Sequence, residues 1–185
     1  MAGLVDRMVR AAKLQPALYE EVEADAGATG QAMTVVVLSS VAAGVGAWDK
    51  QGGGVGLVVS ILVALVGWFI WAGLTFILGT KLLPGPNTKA NMGELLRTIG
   101  FASSPGIVRV LGAVPGVGKV IGLAAAIWML FAFVIAVRQA LDYESNGRAI
   151  LVCVIGWAIY VGIVIGLGAA LIGAGATLGG GGLPQ

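Results

Sequence analysis

Few side chains within the apolar part of this 185-residue chain can do chemistry, and the most informative are Ser103, Ser104, Pro105 and Arg109. Pro105 removes a backbone donor and its ring clashes with the preceding turn, so a helix must kink or break there. The hydroxyls of Ser103 and Ser104 can replace the hydrogen bonds that such a break frees. The outcome is either a kink that only shapes the packing or a broken helix of the kind that coordinates ions and substrates. Arg109 lies in the same apolar stretch, where an arginine at a helix centre costs about 2.5–3.5 kcal/mol. Near the end of its run it is expected to snorkel to the interface; the functional alternative is contact with an anion or a lipid headgroup.

The remaining charges read as interfacial chemistry. Glu94 and Arg97, three apart, are expected to pair on one helix face, as are Arg138 and Asp142, four apart. Enzyme classes are sharply narrowed because the sequence has no histidine and a single cysteine, Cys153, which reads as a small buried hydrophobe. Intramembrane hydrolases that use histidine and zinc sites of His and Cys have no ligands here. All carboxylates fall in loops or at span ends, which excludes an intramembrane aspartyl pair. The stretch Gly112-Ala113-Val114-Pro115-Gly116-Val117-Gly118-Lys119 lacks Walker spacing and a hydroxyl after the lysine, so it is a loop. No catalytic, cofactor or metal site is expected.

The elements that must position these residues are membrane spans. With 58% hydrophobic and 11% charged residues and a mean hydropathy of +0.96, the composition lies outside the soluble range. The expected fold is all-α: a polytopic transmembrane bundle of five spans, about 32–48, 55–80, 95–113, 119–138 and 149–174, the third broken near Pro105. Residues 1–31 form a cytoplasmic segment, 32–174 the bundle and 175–185 a flexible Gly-rich tail. No cleaved signal is expected, because the first apolar run follows the acidic Glu20, Glu21, Glu23 and Asp25.

Orientation follows from basic residues. A cytoplasmic N-terminus puts Arg7, Arg10, Lys13, Lys81, Lys89, Arg97, Arg138 and Arg148 inside, leaving Lys50, Lys119 and Arg109 outside. The net charge of +2 is spread between loops, which argues against nucleic acid. In the N-terminal segment Leu4, Val5, Met8, Val9 and Ala12 recur at helical spacing opposite Asp6, Arg7, Arg10 and Lys13. That pattern predicts an amphipathic surface helix with its basic face toward anionic headgroups. Pro16 opens a second short helix, whose acidic residues face solvent or a partner. Ala158, Gly162, Gly166, Ala170 and Ala174 recur every fourth residue, a stripe that lets two helices approach closely. Intrachain packing is expected for it, with a neighbouring chain as the alternative. Trp48, Trp68 and Trp71 read as interface markers; Trp128 and Trp157 are too central and read as packing residues.

One string of motifs points to a family. Leu95-Leu96-Arg97-Thr98-Ile99-Gly100-Phe101-Ala102-Ser103-Ser104-Pro105-Gly106 is followed by the turn Val114-Pro115-Gly116-Val117-Gly118, then by Ile127-Trp128. Val137-Arg138-Gln139-Ala140-Leu141 and Gly147-Arg148-Ala149 complete the series, and Tyr19 to Asp25 with Ala28 to Ala32 lead into it. Over residues 12–170 the order and spacing resemble prokaryotic members of the Yip (Ypt-interacting protein) domain family. The resemblance implies a five-span bundle with a cytoplasmic N-terminus, here in a prokaryotic cytoplasmic membrane with the C-terminus outside. Eukaryotic relatives associate with prenylated small GTPases in membrane traffic, but this sequence offers no position for that contact. The expected function is that of a non-enzymatic integral membrane protein that organises or scaffolds membrane components through helix packing and its N-terminal segment. Its partners are then the lipid bilayer and a membrane protein or a second copy. The alternative is a small transporter or channel component using the broken third span.

Overall fold

The computed structural model describes residues 3–48 and 53–179, which form seven α-helices. Two short ones come first, α1 (Leu4–Ala12) and α2 (Pro16–Ala24), the latter with Pro16 in its first turn, where a missing N–H is harmless. Next are α3 (Ala28–Gly46) and α4 (Gly53–Ile77), whose last turn widens into a π-helix over Leu78–Leu82. The short α5 (Met92–Ala102) is followed by a 3-10 segment over Ser104–Ala113. Last come α6 (Gly118–Ala140) and α7 (Asn146–Gly179). Among the described residues four helices are long and apolar enough to cross a membrane: α3, α4 with its π turn, α6, and α7 over Asn146–Ile163.

The third apolar run is not one helix. The α5 helix starts in a capping box, in which the Asn91 side chain accepts from the Glu94 N–H and Glu94 accepts from the Asn91 N–H. It ends where Pro105 cannot supply an N–H to Phe101, and the Ser104 hydroxyl donates to that carbonyl instead at 2.6 Å. A ten-residue 3-10 run is unusually long, and it is wedged between α3 and α6. Residues 95–102 of α5 are all buried, which makes this helix the axis of the core.

One end of the bundle gathers α2, the loop before α5 and the turn after α6. There Asn87 donates to Glu144, Thr88 to the Leu141 carbonyl and Gln139 to Glu20. Tyr143 donates to the carbonyl of Leu83 at 2.7 Å, just past the π turn. At the opposite end Gly46 lies against the Arg109 backbone and Gly112 against Gly118. The N-terminal hairpin is part of this packing. Leu18, Tyr19 and Val22 are fully buried in the same hydrophobic cluster as α5 and α6, and the Trp128 indole donates to the Ala12 carbonyl at 2.8 Å.

Two sequence expectations change here. Arg7 does not face headgroups: it is 3% exposed and donates to Glu21 at 2.9 Å, Asp25 at 2.8 Å and Gln31 at 3.0 Å. Arg10 adds a second bond to Glu21, so Glu21 and Asp25 are turned toward α1. Five N–H donors in a planar fork suit such a hub, and Val5 is left on the outside at 73% exposure. The second change concerns the C-terminus, where α7 continues through Gly179, past the expected span end at 174. The rest of the predicted tail, 180–185, and Lys50 lie outside the described residues.

Candidate functional site

Within the apolar bundle lies a cavity of about 950 Å³ lined by α3, α4, α5 with its 3-10 extension, α6 and α7. Its walls are apolar and aromatic. Trp71 anchors them, with Phe133 at 6.3 Å and Tyr160 at 6.2 Å in edge-on contact. One corner is polar, where Arg109 meets Ser39, and Ser40 and Ser103 also belong to the lining.

Arg109 does not snorkel outward. Its backbone lies beside Gly46 at the end of α3, but its side chain folds back into the bundle. Nε donates to the Gly106 carbonyl at 3.1 Å and Nη2 to Ser39 Oγ at 2.9 Å. Neutral oxygens of the protein thus replace interfacial water, with no carboxylate bridged to this guanidinium among the described residues. Gly106 makes the approach feasible, because a Cβ there would overlap Ser39 Oγ and come within 2.8 Å of Arg109 Nη2. Of the residues singled out by sequence, Ser103 and Arg109 both line this cavity. Ser104 and Pro105 are buried behind it and shape the chain break.

Both expected carboxylate pairs are absent. Glu94 is engaged in the α5 capping box, while Arg97 donates to the Val22 carbonyl at 2.8 Å and to that of Glu23. These carbonyls end α2, where helical N–H partners run out, and a buried cation satisfies both the bonds and the dipole. Arg138 donates to the Tyr143 carbonyl at 3.2 Å instead of reaching Asp142, which has left the helix in a left-handed conformation at φ 50. Sequence reasoning also misses Ser39, Ser40, Ser60 and Tyr160 on the cavity wall. A hydroxyl pair in mid-span was the available signal. Trp68 is buried and donates to the Leu96 carbonyl at 2.9 Å, a packing role instead of an interface marker, whereas Trp157 is 63% exposed.

A second concavity opens at the end that carries α2, rimmed by Glu20, Glu23, Glu94, Arg138 and Glu144. Burial, then the charges of Asp142 and Glu94, push the Glu23 carboxyl up to about 7, against the pull of Arg97. The Arg10 hydrogen bond holds Glu21 low, and that of Arg7 holds Asp25 low. The signs oppose each other. Folded Glu23 keeps its proton above its ordinary 4.5, so its contribution is lost as pH rises toward about 7. Glu21 and Asp25 contribute above the ordinary carboxylate range and lose that contribution as pH falls. Thermal melting is therefore expected to peak at mildly acidic pH, with Glu23→Gln flattening the decline toward pH 7. An unchanged slope in that variant would remove Glu23 as the cause.

The family model of the Yip1 domain matches residues 16–180, a stretch that holds the cavity, the junction of α5 with the 3-10 segment and the four long apolar helices. The chain belongs to the Yip1 domain family. Together with the apolar helices, this makes it an integral membrane protein. No curated protein and no solved structure matches the sequence. Within the Yip1 domain the matched region begins at Pro16, the first residue of α2, so α2 and its Arg97 clamp belong to the domain, while α1 precedes it.

Proposed function

We propose that this Yip1-domain protein is a non-enzymatic organiser of its membrane, with five spans, a cytoplasmic N-terminus and α7 as its contact helix for a neighbouring membrane protein, a second copy first. The observation that carries this reading is the state of the small-residue stripe. Ala158, Gly162 and Gly166 are exposed, and nothing among the described residues lies within 4 Å of a Cβ placed at either glycine. Over this part of α7 the described residues leave the stripe open, which supports the neighbouring-chain alternative. The side chains of Ala170 and Ala174 lie outside the described residues. An unoccupied stripe of this kind lets another helix approach closely in lipid, where packing and not water exclusion drives association.

The five-span reading is supported by length. The eleven residues of α5 rise about 16 Å and the ten of the 3-10 segment about 20 Å, enough together for a hydrocarbon core of about 30 Å. The orientation is supported by Arg7, Arg10, Arg97, Arg138 and Arg148 gathering at the α2 end of the bundle.

Cysteine substitution in a Cys153→Ser background tests contact and orientation together. Gly162→Cys is expected to crosslink two chains in native membranes. A Gly162→Leu and Gly166→Leu double variant should abolish the larger species seen by native mass spectrometry while the monomer melts unchanged. Glu144→Cys should react with an impermeant maleimide only from the cytoplasmic side. A species of unchanged size in the double variant sinks the contact; labelling from outside sinks the orientation. The transport alternative is favoured by one observation, the cavity lying against the interrupted third run, and solute uptake into proteoliposomes would decide it.

A further inference from the structure

We infer that the intramembrane cavity is a binding site for an anionic amphiphile, with the head of the ligand on Arg109 and its chain along the aromatic wall. This goes beyond the assembly reading and does not depend on it. Among the described residues Arg109 is the one cation at the cavity, and its only acceptors there are the neutral oxygens of Gly106 and Ser39. A guanidinium offers five N–H groups, and Nη1 has no acceptor among the described residues. Leaving such a charge uncompensated at membrane depth is costly, so an anion that enters is held by the interaction the protein does not make for itself. Ser103, buried and on the cavity lining, adds a hydroxyl to an otherwise largely apolar wall.

The rest of the cavity selects what carries the anion. At about 950 Å³ it lies at the upper end of the range for ligand sites, far larger than a phosphate or chloride needs. Away from the polar corner Trp68, Trp71, Phe133 and Trp157 offer apolar wall. The guanidinium points inward, toward a serine seven residues before the end of α3, about 10 Å along the helix. A head drawn to that depth brings its hydrocarbon chain with it. Val63, Leu130 and Val154 line the cavity and are each more than half exposed, so it communicates with the side of the bundle, where lipids are. A free inorganic anion shares the head chemistry but has no use for this wall.

The test is native mass spectrometry of the full chain in zwitterionic detergent, titrated with lysophosphatidic acid, with the monoacylglycerol of the same chain, and with inorganic phosphate. The expected result is one saturable lysophosphatidic acid, with the monoacylglycerol at least about tenfold weaker, the loss of one good charge-assisted pair. Arg109→Gln should lose the same factor and Arg109→Lys should keep most of the binding. Gly67→Leu, which pushes a side chain into the cavity beside Tyr160, should abolish binding with Arg109 intact. If Arg109→Gln does not fold, Gly67→Leu carries the test. Equal binding of the uncharged lipid, unchanged binding in a folded Arg109→Gln, unchanged binding in Gly67→Leu, or displacement of the lipid by inorganic phosphate would each overturn the proposal.

Discussion

Replacing Arg97 by alanine is expected to free the α1–α2 hairpin from the bundle at a cost of about 3 kcal/mol. The residue is 8% exposed and spans from α5 to the carbonyls of Val22 and Glu23. Its loss removes two charge-assisted bonds and leaves two terminal carbonyls of α2 without donors at a packed junction. Lysine should restore less than half, because a point charge cannot serve two carbonyls in fixed geometry as the guanidinium fork does. Hydrogen exchange would read the effect directly, as faster exchange of α2 amides with α6 amides unchanged. Equal protection of α2 in both proteins would show that Leu18, Tyr19 and Val22 hold the hairpin by burial alone.

A second large effect is expected at Gly46. A Cβ there would overlap the carbonyl oxygen of Arg109, a backbone atom of the 3-10 segment that no rotamer change can move. Gly46→Ala should therefore cost about 3 kcal/mol, at the upper end of ordinary overpacking. Gly30 on the same helix provides the opposite sign. Nothing lies within 4 Å of a Cβ at that position, so Gly30→Ala should stabilise the protein by up to about 1 kcal/mol through helix propensity. Denaturant or thermal melting of the two variants side by side checks both. Matching shifts would mean that α3 and the 3-10 segment are not in the close contact described.

How much of this is legible in the sequence depends on how far apart the partners are. The helices α3, α4, α6 and α7 can be read from their uninterrupted apolar runs, and the interruption at Pro105 from a rule about one ring and one N–H. Pairs of charges three or four residues apart are equally easy to propose, yet Glu94 and Arg97 do not pair, because Arg97 finds carbonyls 75 and 74 residues away. Arg7 looks like part of a basic face because helical periodicity places it there, and only the positions of α2 and α3 reveal three acceptors around it. The cavity has little local signature beyond the Ser39-Ser40 pair in an apolar run. It arises from five elements, and its polar corner joins Ser39 to Arg109 across 70 residues. A lone arginine in an apolar run announces that something must compensate it, but not from which direction.

The reach of these contacts along the chain also sets an order of events during synthesis. Arg97 is translated 75 residues after the Val22 carbonyl that it caps, and Trp128 116 residues after the Ala12 carbonyl that it binds. At about 5–20 residues per second, the N-terminal hairpin waits roughly 4–15 seconds for its clamp and longer for the indole. Until then Leu18, Tyr19 and Val22 lack the α5 and α6 surfaces they pack against, so a segment made well before its partners is among the last to reach its place.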